Sequence, residues 1–238
     1  MSALSPEEIK RYARHIVLRG VGGDGQQRLK AARVLVIGAG GLGSPAIAYL
    51  AAAGVGTLGV VDDDTLGLSN LQRQVIHRAA DIGRTKAESA GQFVAALNAH
   101  VGFVPHVERL TADNAARLMD GYHLVVDGTD NFGTRVVSAD GARAAGLPLV
   151  SGAVSMFDGQ VTVFAPGGPQ FRDLYPDTPD ESDLPSCEVV GVLGAVTGVI
   201  GTLMAMEAIK LITGVGDPLV GRLLLYDGRA ARFDEMRY

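Results

Sequence analysis

Six residues constrain this chain more than any others: Gly38-Ala39-Gly40-Gly41-Leu42-Gly43, set between the apolar run Arg33 to Ile37 and the helix-forming run Ser44 to Ala53. A short apolar run bounded by glycine reads as a buried strand. Thr57 to Val61 is a second such run and ends at Asp62. Strand, glycine turn, helix and strand within about thirty residues make a βαβ unit. Without side chains, the turn lets backbone approach a nucleotide, and the following helix offers free N–H groups and a partial positive charge. Asp62 lies 19 residues past Gly43, where a carboxylate can accept hydrogen bonds from ribose hydroxyls. These features call for a nucleotide and fit NAD and ATP equally.

The rest of the chain extends this unit. Ser5-Pro6-Glu7-Glu8 starts a helix that runs to about Leu18, and a glycine-rich turn follows from Gly20 to Gly25. Helices are expected near Thr85 to Ala99, Ala112 to Met119 and Asn131 to Ala145. Strands are expected at Val101 to Val107, His123 to Val126 and Pro148 to Ser151. Met156-Phe157-Asp158-Gly159-Gln160 reads as a hairpin turn on its Asp-Gly pair, and Asp227-Gly228 repeats that signal. The fold class is therefore α/β: a Rossmann-like mixed sheet, parallel in the N-terminal half and antiparallel in the C-terminal half, with helices on both faces. Residues 1–238 form one domain, with 1–30 as an N-terminal helical arm. Proline and acid density marks Gly167 to Ser186 as a mobile surface loop.

Composition narrows the function classes. With 47% hydrophobic and 20% charged residues, the chain can bury a large core. A net charge of −5 speaks against nucleic acid. One cysteine, Cys187, excludes a disulfide framework and a cysteine-rich zinc site. The N-terminal residues lack an apolar signal core, so the cytoplasm is the expected compartment. Val189 to Met206 is uncharged, but its four glycines and the continuation through Glu207 and Lys210 favour a buried helix with a small-residue face over a membrane span.

Polar residues after the βαβ unit separate ATP from NAD. Ser69-Asn70-Leu71-Gln72-Arg73-Gln74 follows Asp62 and Asp64 closely, and Lys86 comes soon after. Arg and Lys can neutralise triphosphate oxygens, a need that a dinucleotide oxidoreductase lacks. Asp130 and Asn131 follow the strand ending at Asp127, at the sheet edge where open α/β folds place ligands; a carboxylate there can hold Mg²⁺ against phosphates. Taken singly, Arg73 and Lys86 would be surface charges more often than ligands.

RYARHI at Arg11 to Ile16, GAGGLGS at Gly38 to Ser44, LSNLQRQ at Leu68 to Gln74, GRTKAES at Gly83 to Ser89, GTDN at Gly128 to Asn131, SGAVSMFDGQVTVF and SCEVVGVLGAVTGVIGTLMAMEAIK occur in order over nearly the whole chain. In these segments the chain resembles the MoeB/ThiF/HesA (E1-like) adenylyltransferase family. The resemblance implies ATP-dependent, magnesium-dependent adenylation of the C-terminal glycine carboxylate of a small ubiquitin-like sulfur-carrier protein (MoaD/ThiS type, ending Gly-Gly), with release of pyrophosphate. It implies a nucleotide site at Gly38, Gly40, Gly41, Gly43, Asp62, Asp64, Ser69, Asn70 and Asn131, with Asp62 on the ribose. Asn70, Arg73 and Lys86 are implied on the phosphates and Asp130 on magnesium. Arg14 would reach the triphosphate of the other subunit of a homodimer, in a chain where RYxRQ has become Arg11-Tyr12-Ala13-Arg14-His15.

Many members carry two CxxC pairs for zinc; here Gln170 and Asp173 take the first pair's place and no second pair precedes Tyr238, so zinc is not expected. Cys187, in SCEVVG, is either a covalent link to carrier or sulfur or a small core residue. His15 reads as a partly buried helix residue, and His77, His100, His106 and His123 carry no expected role. No sulfurtransferase region follows, which implies a separate sulfur donor. The resemblance leaves open the pathway served: molybdopterin, thiamin, cysteine or tRNA thiolation. Two competing readings remain, a nucleotide-binding scaffold without turnover and an NAD-dependent oxidoreductase.

The expected chemistry needs no general base, because a C-terminal carboxyl with a pKa near 3.5 is already ionised at neutral pH. Positioning and cationic stabilisation of the leaving pyrophosphate suffice.

Overall fold

A computed structural model describes residues 3–177 and 190–238. Helices α1 (Pro6–Arg11), α2 (Ala13–Ile16) and α3 (Gly22–Ala31) precede β1 (Arg33–Ile37), α4 (Gly43–Ala53) and β2 (Thr57–Val61). Then come α5 (Lys86–Leu97), β3 (Gly102–His106), α6 (Ala112–Met119), β4 (Leu124–Asp127) and α7 (Phe132–Ala144). The second half holds β5 (Leu149–Ser155), β6 (Asp158–Phe164), a short α8 (Phe171–Leu174), α9 (Gly194–Thr213), β7 (Arg222–Asp227) and β8 (Arg232–Arg237).

The eight strands among the described residues join one sheet in the order β3-β2-β1-β4-β5-β6-β7-β8. Pairing is parallel from β3 through β5 and antiparallel from β5 to β8. Alternation along β1 explains why its run is wholly apolar. Val34 and Val36 pack under Ile47, Leu50 and Met204 on one face, while Leu35 and Ile37 pack under Leu118 and Met119 on the other. A parallel strand covered on both faces has no polar side to show. Because β1 lies between β2 and β4, the strand order reverses there. Open α/β sheets form their ligand crevice at such a point, outside the carboxyl ends of the strands.

Four details differ from the sequence reading. The first helix breaks at Tyr12, whose ring is buried and whose hydroxyl accepts from Asn98 Nδ2 at 2.8 Å; anchoring that side chain sets the break. The glycine-rich run does not form a turn from Gly20 to Gly25 but enters α3, because Gly25, Gln26 and Leu29 are buried and Arg28 clamps the Thr213 carbonyl at 2.7 Å, outweighing poor helix propensity. The first hairpin turns at Met156 and Phe157, two residues before its centre as expected, so Asp158 and Gly159 already belong to β6. Met156 takes φ 50°, which an Asp-Gly signal does not foretell.

Finally, the long apolar helix starts at Gly194 rather than near Val189, since the backbone before it bridges to the hairpin turn at Met156. It is long and apolar enough to cross a membrane by length and composition, yet here it lies against α4 and the sheet with Val196, Ile200, Met204 and Ala208 buried. Its small-residue face is real: a Cβ on Gly201 would stand 2.4 Å from the Leu42 carbonyl oxygen. Glu207 is also buried, paired with Lys210 and accepting from the Leu219 N–H at 2.9 Å.

Candidate active site

The glycine segment leaves β1 with Gly38 at φ 88°, a conformation that a side chain resists, and its N–H holds the Val61 carbonyl at 2.8 Å. Gly43 opens α4 so close to β1 that a Cβ there would sit 1.8 Å from the Gly38 carbonyl oxygen. Asp62, at the end of β2, ties the loop down. Its Oδ2 accepts from the Ala39 N–H at 2.7 Å and its Oδ1 from the Asp64 N–H at 2.9 Å. Burial raises the Asp62 carboxyl above its usual range, opposed by the Ala39 N–H and the charge of Lys86.

Lys86 opens α5 and is buried, with 6% of its surface exposed. Its ammonium meets Asp64 Oδ2 at 2.6 Å, whereas the Asp64 side chain is 66% exposed. The acid can therefore swing into water while the cation stays, and an incoming phosphate oxygen can replace it.

Arg73 packs its aliphatic stem beside Gly41 and donates from Nη1 to the Ser69 carbonyl at 3.1 Å. Asn70 accepts from the Gly67 N–H at 2.8 Å, stabilising the 3₁₀ turn that carries Ser69. After β4, Asn131 caps α7 by accepting from the Thr134 N–H at 2.8 Å. Asp130 beside it is exposed and makes no interaction with the described residues.

These side chains line one cleft of about 650 Å³, together with Gly38, Gly40, Gly41, Asp62 and Asp64. It continues past Asp130, Asn131, Arg109 and Arg135 into a groove of about 810 Å³ over β6 and β7. Of the remaining expected residues, Gly43 sits directly behind the loop. Arg14 is exposed on α2 and does not line the cleft. Cys187 lies outside the described residues. Gln170 and Asp173 form a cap at the head of α8, with the Gln170 N–H donating to Asp173 Oδ2 at 2.7 Å, and Phe171 between them is buried. Among the described residues, no three His, Cys, Asp or Glu side chains gather as metal ligands.

The sequence reading passed over three residues. His77 is buried against the glycine loop, its Nε2 at 2.9 Å from the Ala39 carbonyl oxygen. Arg135 clamps the Thr129 carbonyl with Nε at 3.2 Å and Nη2 at 2.8 Å, where cleft and groove meet. Asp127 is buried under the loop after β4, with Oδ1 accepting from the Thr129 N–H and hydroxyl. His77 reaches the loop only through folding, while Asp127 and Arg135 meet Thr129 within a short stretch that carries no recognisable motif. His15, in contrast, is half-buried with Nδ1 at 3.0 Å from Gln26 Oε1, as expected.

The profile of the ThiF family matches residues 12–238. The chain belongs to the ThiF family. It is 53% identical over 231 residues to a probable adenylyltransferase/sulfurtransferase MoeZ of Mycobacterium tuberculosis, covering 95% of this chain and 59% of that protein. It thus spans less than two thirds of the MoeZ length. A sulfur carrier protein adenylyltransferase of Thermus thermophilus is 47% identical over 236 residues, covering 97% of this chain and 87% of its own length. The SAMP-activating enzyme E1 of Haloferax volcanii is also 47% identical over 236 residues, with 99% and 87% covered. Among solved structures, PaaA superposes with a TM-score of 0.85 at 22% identity, covering 100% of this chain and 75% of PaaA. Escherichia coli MccB with ATP gives 0.82 at 18% identity, covering 95% and 71%. Both likenesses speak to the fold, a mixed eight-stranded Rossmann-like sheet, as expected from the sequence.

Proposed function

We propose that this ThiF-family chain is an adenylyltransferase that activates the C-terminal glycine carboxylate of a small ubiquitin-like sulfur carrier with Mg-ATP, working as a homodimer in the cytoplasm. The observation that carries this reading is the continuity of two spaces. A glycine-loop cleft with a buried cation, sized for a nucleotide, opens at Asp130 and Arg135 into a groove able to take an extended peptide tail. The names of the relatives, adenylyltransferase and sulfur carrier protein adenylyltransferase, support the same chemistry.

In this mechanism Asp62 accepts from the ribose, while Asn70, Arg73 and Lys86 meet the phosphates, Lys86 exchanging Asp64 for a phosphate oxygen. The carboxylate oxygen of the carrier attacks the α-phosphorus. The bond from that phosphorus to the bridging oxygen breaks, and pyrophosphate leaves with the electron pair. No proton moves. Arg73 and Lys86 stabilise the charge that grows on the leaving group. Magnesium fits the donor set: it takes one or two carboxylates and completes its shell with phosphates and water, and Asp130 offers one free carboxylate at the cleft. When bound it would neutralise triphosphate charge. Zinc has no part in this reading, because Gln170 and Asp173 are committed to capping α8.

ATP–pyrophosphate exchange with a carrier ending in Gly-Gly tests the proposal. The expected result is carrier-dependent exchange that Asp130→Ala abolishes. ATP binding without exchange, in the presence of the right carrier, would instead favour a non-catalytic scaffold.

A further inference from the structure

His77 is 6% exposed and lies 38 residues from the loop that it touches. A carbonyl oxygen can only accept, so Nε2 must carry a hydrogen and donate it to Ala39. Burial pushes the imidazole below its usual range, opposed by the Ala39 contact and by Asp81, with Lys86 acting alongside burial. The neutral ring then has Nδ1 as an acceptor, and the Ser89 hydroxyl at 2.8 Å supplies the hydrogen. Ser89 also lies 3.3 Å from Asp81 Oδ2, but its single hydrogen goes to one partner at a time. The tautomer is thus set from both sides of the ring.

The Ala39 carbonyl belongs to the same peptide unit as the Gly40 N–H. That unit is trans, so its C=O and N–H point in opposite directions. With the carbonyl drawn inward by His77, and by Ser44 Oγ at a longer 3.5 Å, the N–H faces away from the interior. Gly40 lines the cleft, and its N–H has no partner among the described residues. On the other side of Ala39, Asp62 holds the N–H of the preceding peptide unit at 2.7 Å, so Ala39 itself is fixed, and a flip of the Ala39–Gly40 unit forfeits the His77 and Ser44 contacts. Free N–H groups at a glycine turn are what an anionic phosphate requires.

We propose that His77 is a positioning residue that aims the Gly40 N–H into the cleft for a phosphate of the bound nucleotide. The inference rests on the nucleotide reading above and adds the group that organises the loop. It separates two contributions to nucleotide affinity. Phosphate recognition depends on the direction of this peptide, whereas adenosine recognition does not.

The test compares wild type with His77→Phe, which fills the space without a donor, and with His77→Gln, whose Nε2 can donate to Ala39 from about the same place. Dissociation constants for ATP and for adenosine are measured by calorimetry, with urea unfolding as a check on the fold. His77→Phe should weaken ATP by about tenfold or more, the scale of one hydrogen bond to a charged group, and leave adenosine within about twofold. His77→Gln should recover ATP binding to within about threefold of wild type, counting the recovered hydrogen bond alone. Should His77→Phe fail to fold, Ser89→Ala serves in its place, since it frees Nδ1 and should weaken ATP selectively by several-fold. Equal ATP affinities in folded variant and wild type overturn the proposal, as do parallel losses of ATP and adenosine or a His77→Gln chain no better than His77→Phe. A wild-type chain that binds no ATP overturns the nucleotide reading and this inference together.

Discussion

Lys86 and Asp64 are an unequal pair: a buried ammonium facing a carboxylate that is mostly in water. Removing Lys86 leaves Asp64 in water and Asp62 still held by the Ala39 and Asp64 N–H groups, so Lys86→Ala should change stability by only about 1 kcal/mol, the scale of such pairs. Arg73→Ala should be equally mild. Each should nevertheless lower pyrophosphate exchange by about 10²–10³-fold, the range for losing one donor to developing charge. Wild-type exchange in either variant contradicts the clamp. Asp127 makes the opposite case, a carboxylate that belongs to the fold. It is fully buried, and desolvation raises its carboxyl above the usual range, opposed by Arg135 and Thr129. Neither its Oδ2 nor the Ser138 hydroxyl facing it makes a well-formed hydrogen bond among the described residues. Because the folded value lies above the unfolded one, stability from the neutral form is complete below about pH 4 and is lost as pH rises through the folded value. Asp127→Asn keeps the acceptor for Thr129 and carries no charge. Its urea stability should fall less steeply above about pH 4 than that of wild type. An unchanged or steeper slope contradicts the assignment.

At the scale of the element, the glycine loop shows two separable demands. Gly43 gives space to the fold, and a Cβ there would be 1.8 Å from a backbone oxygen. Gly40 gives space to the cleft, where a Cβ meets only Gln74 Nε2 at 3.8 Å. Gly43→Ala should lose about 3 kcal/mol or more, or fail to fold, since overpacking against backbone relaxes poorly. Gly40→Ala should unfold like wild type yet bind ATP more weakly. Calorimetry and urea titration together check the pair, and equal behaviour of the two variants would contradict the division. The same contrast explains what was legible beforehand. The parallel strands are apolar runs bounded by acids or glycines, and the loop, Asp62, Arg73, Lys86 and Asp130 follow them in short, local spacings. The misplaced elements depend on distant partners: α3 on Thr213, the break at Tyr12 on Asn98, and the hairpin on Gly191 and Leu193, which bond the backbone of Met156. His77 carries no expected role for the same reason, its partner being Ala39 in the glycine loop, whereas Arg135 and Asp127 meet the nearby Thr129 in no pattern that marks a site. Cys187 lies outside the described residues.

For the whole molecule, Arg14 is exposed on α2 and does not line the cleft of its own chain. If it serves a partner's triphosphate, mixing Arg14→Ala with Asp130→Ala chains should restore activity to as much as about half of wild type per heterodimer, with each parent nearly inactive and sites independent. Demonstrated subunit exchange without recovery places Arg14 outside the partner's site. The central claim remains that cleft and groove together join AMP to a terminal carboxylate. Mass spectrometry of a Gly-Gly-ended sulfur carrier, after incubation with this protein, ATP and magnesium, tests it most directly. The account predicts one AMP added at the C-terminal glycine, with pyrophosphate released in equal amount, and no addition to a carrier whose terminal carboxyl is amidated. An unmodified carrier under conditions where ATP is bound, or AMP attached anywhere other than that carboxylate, would contradict it.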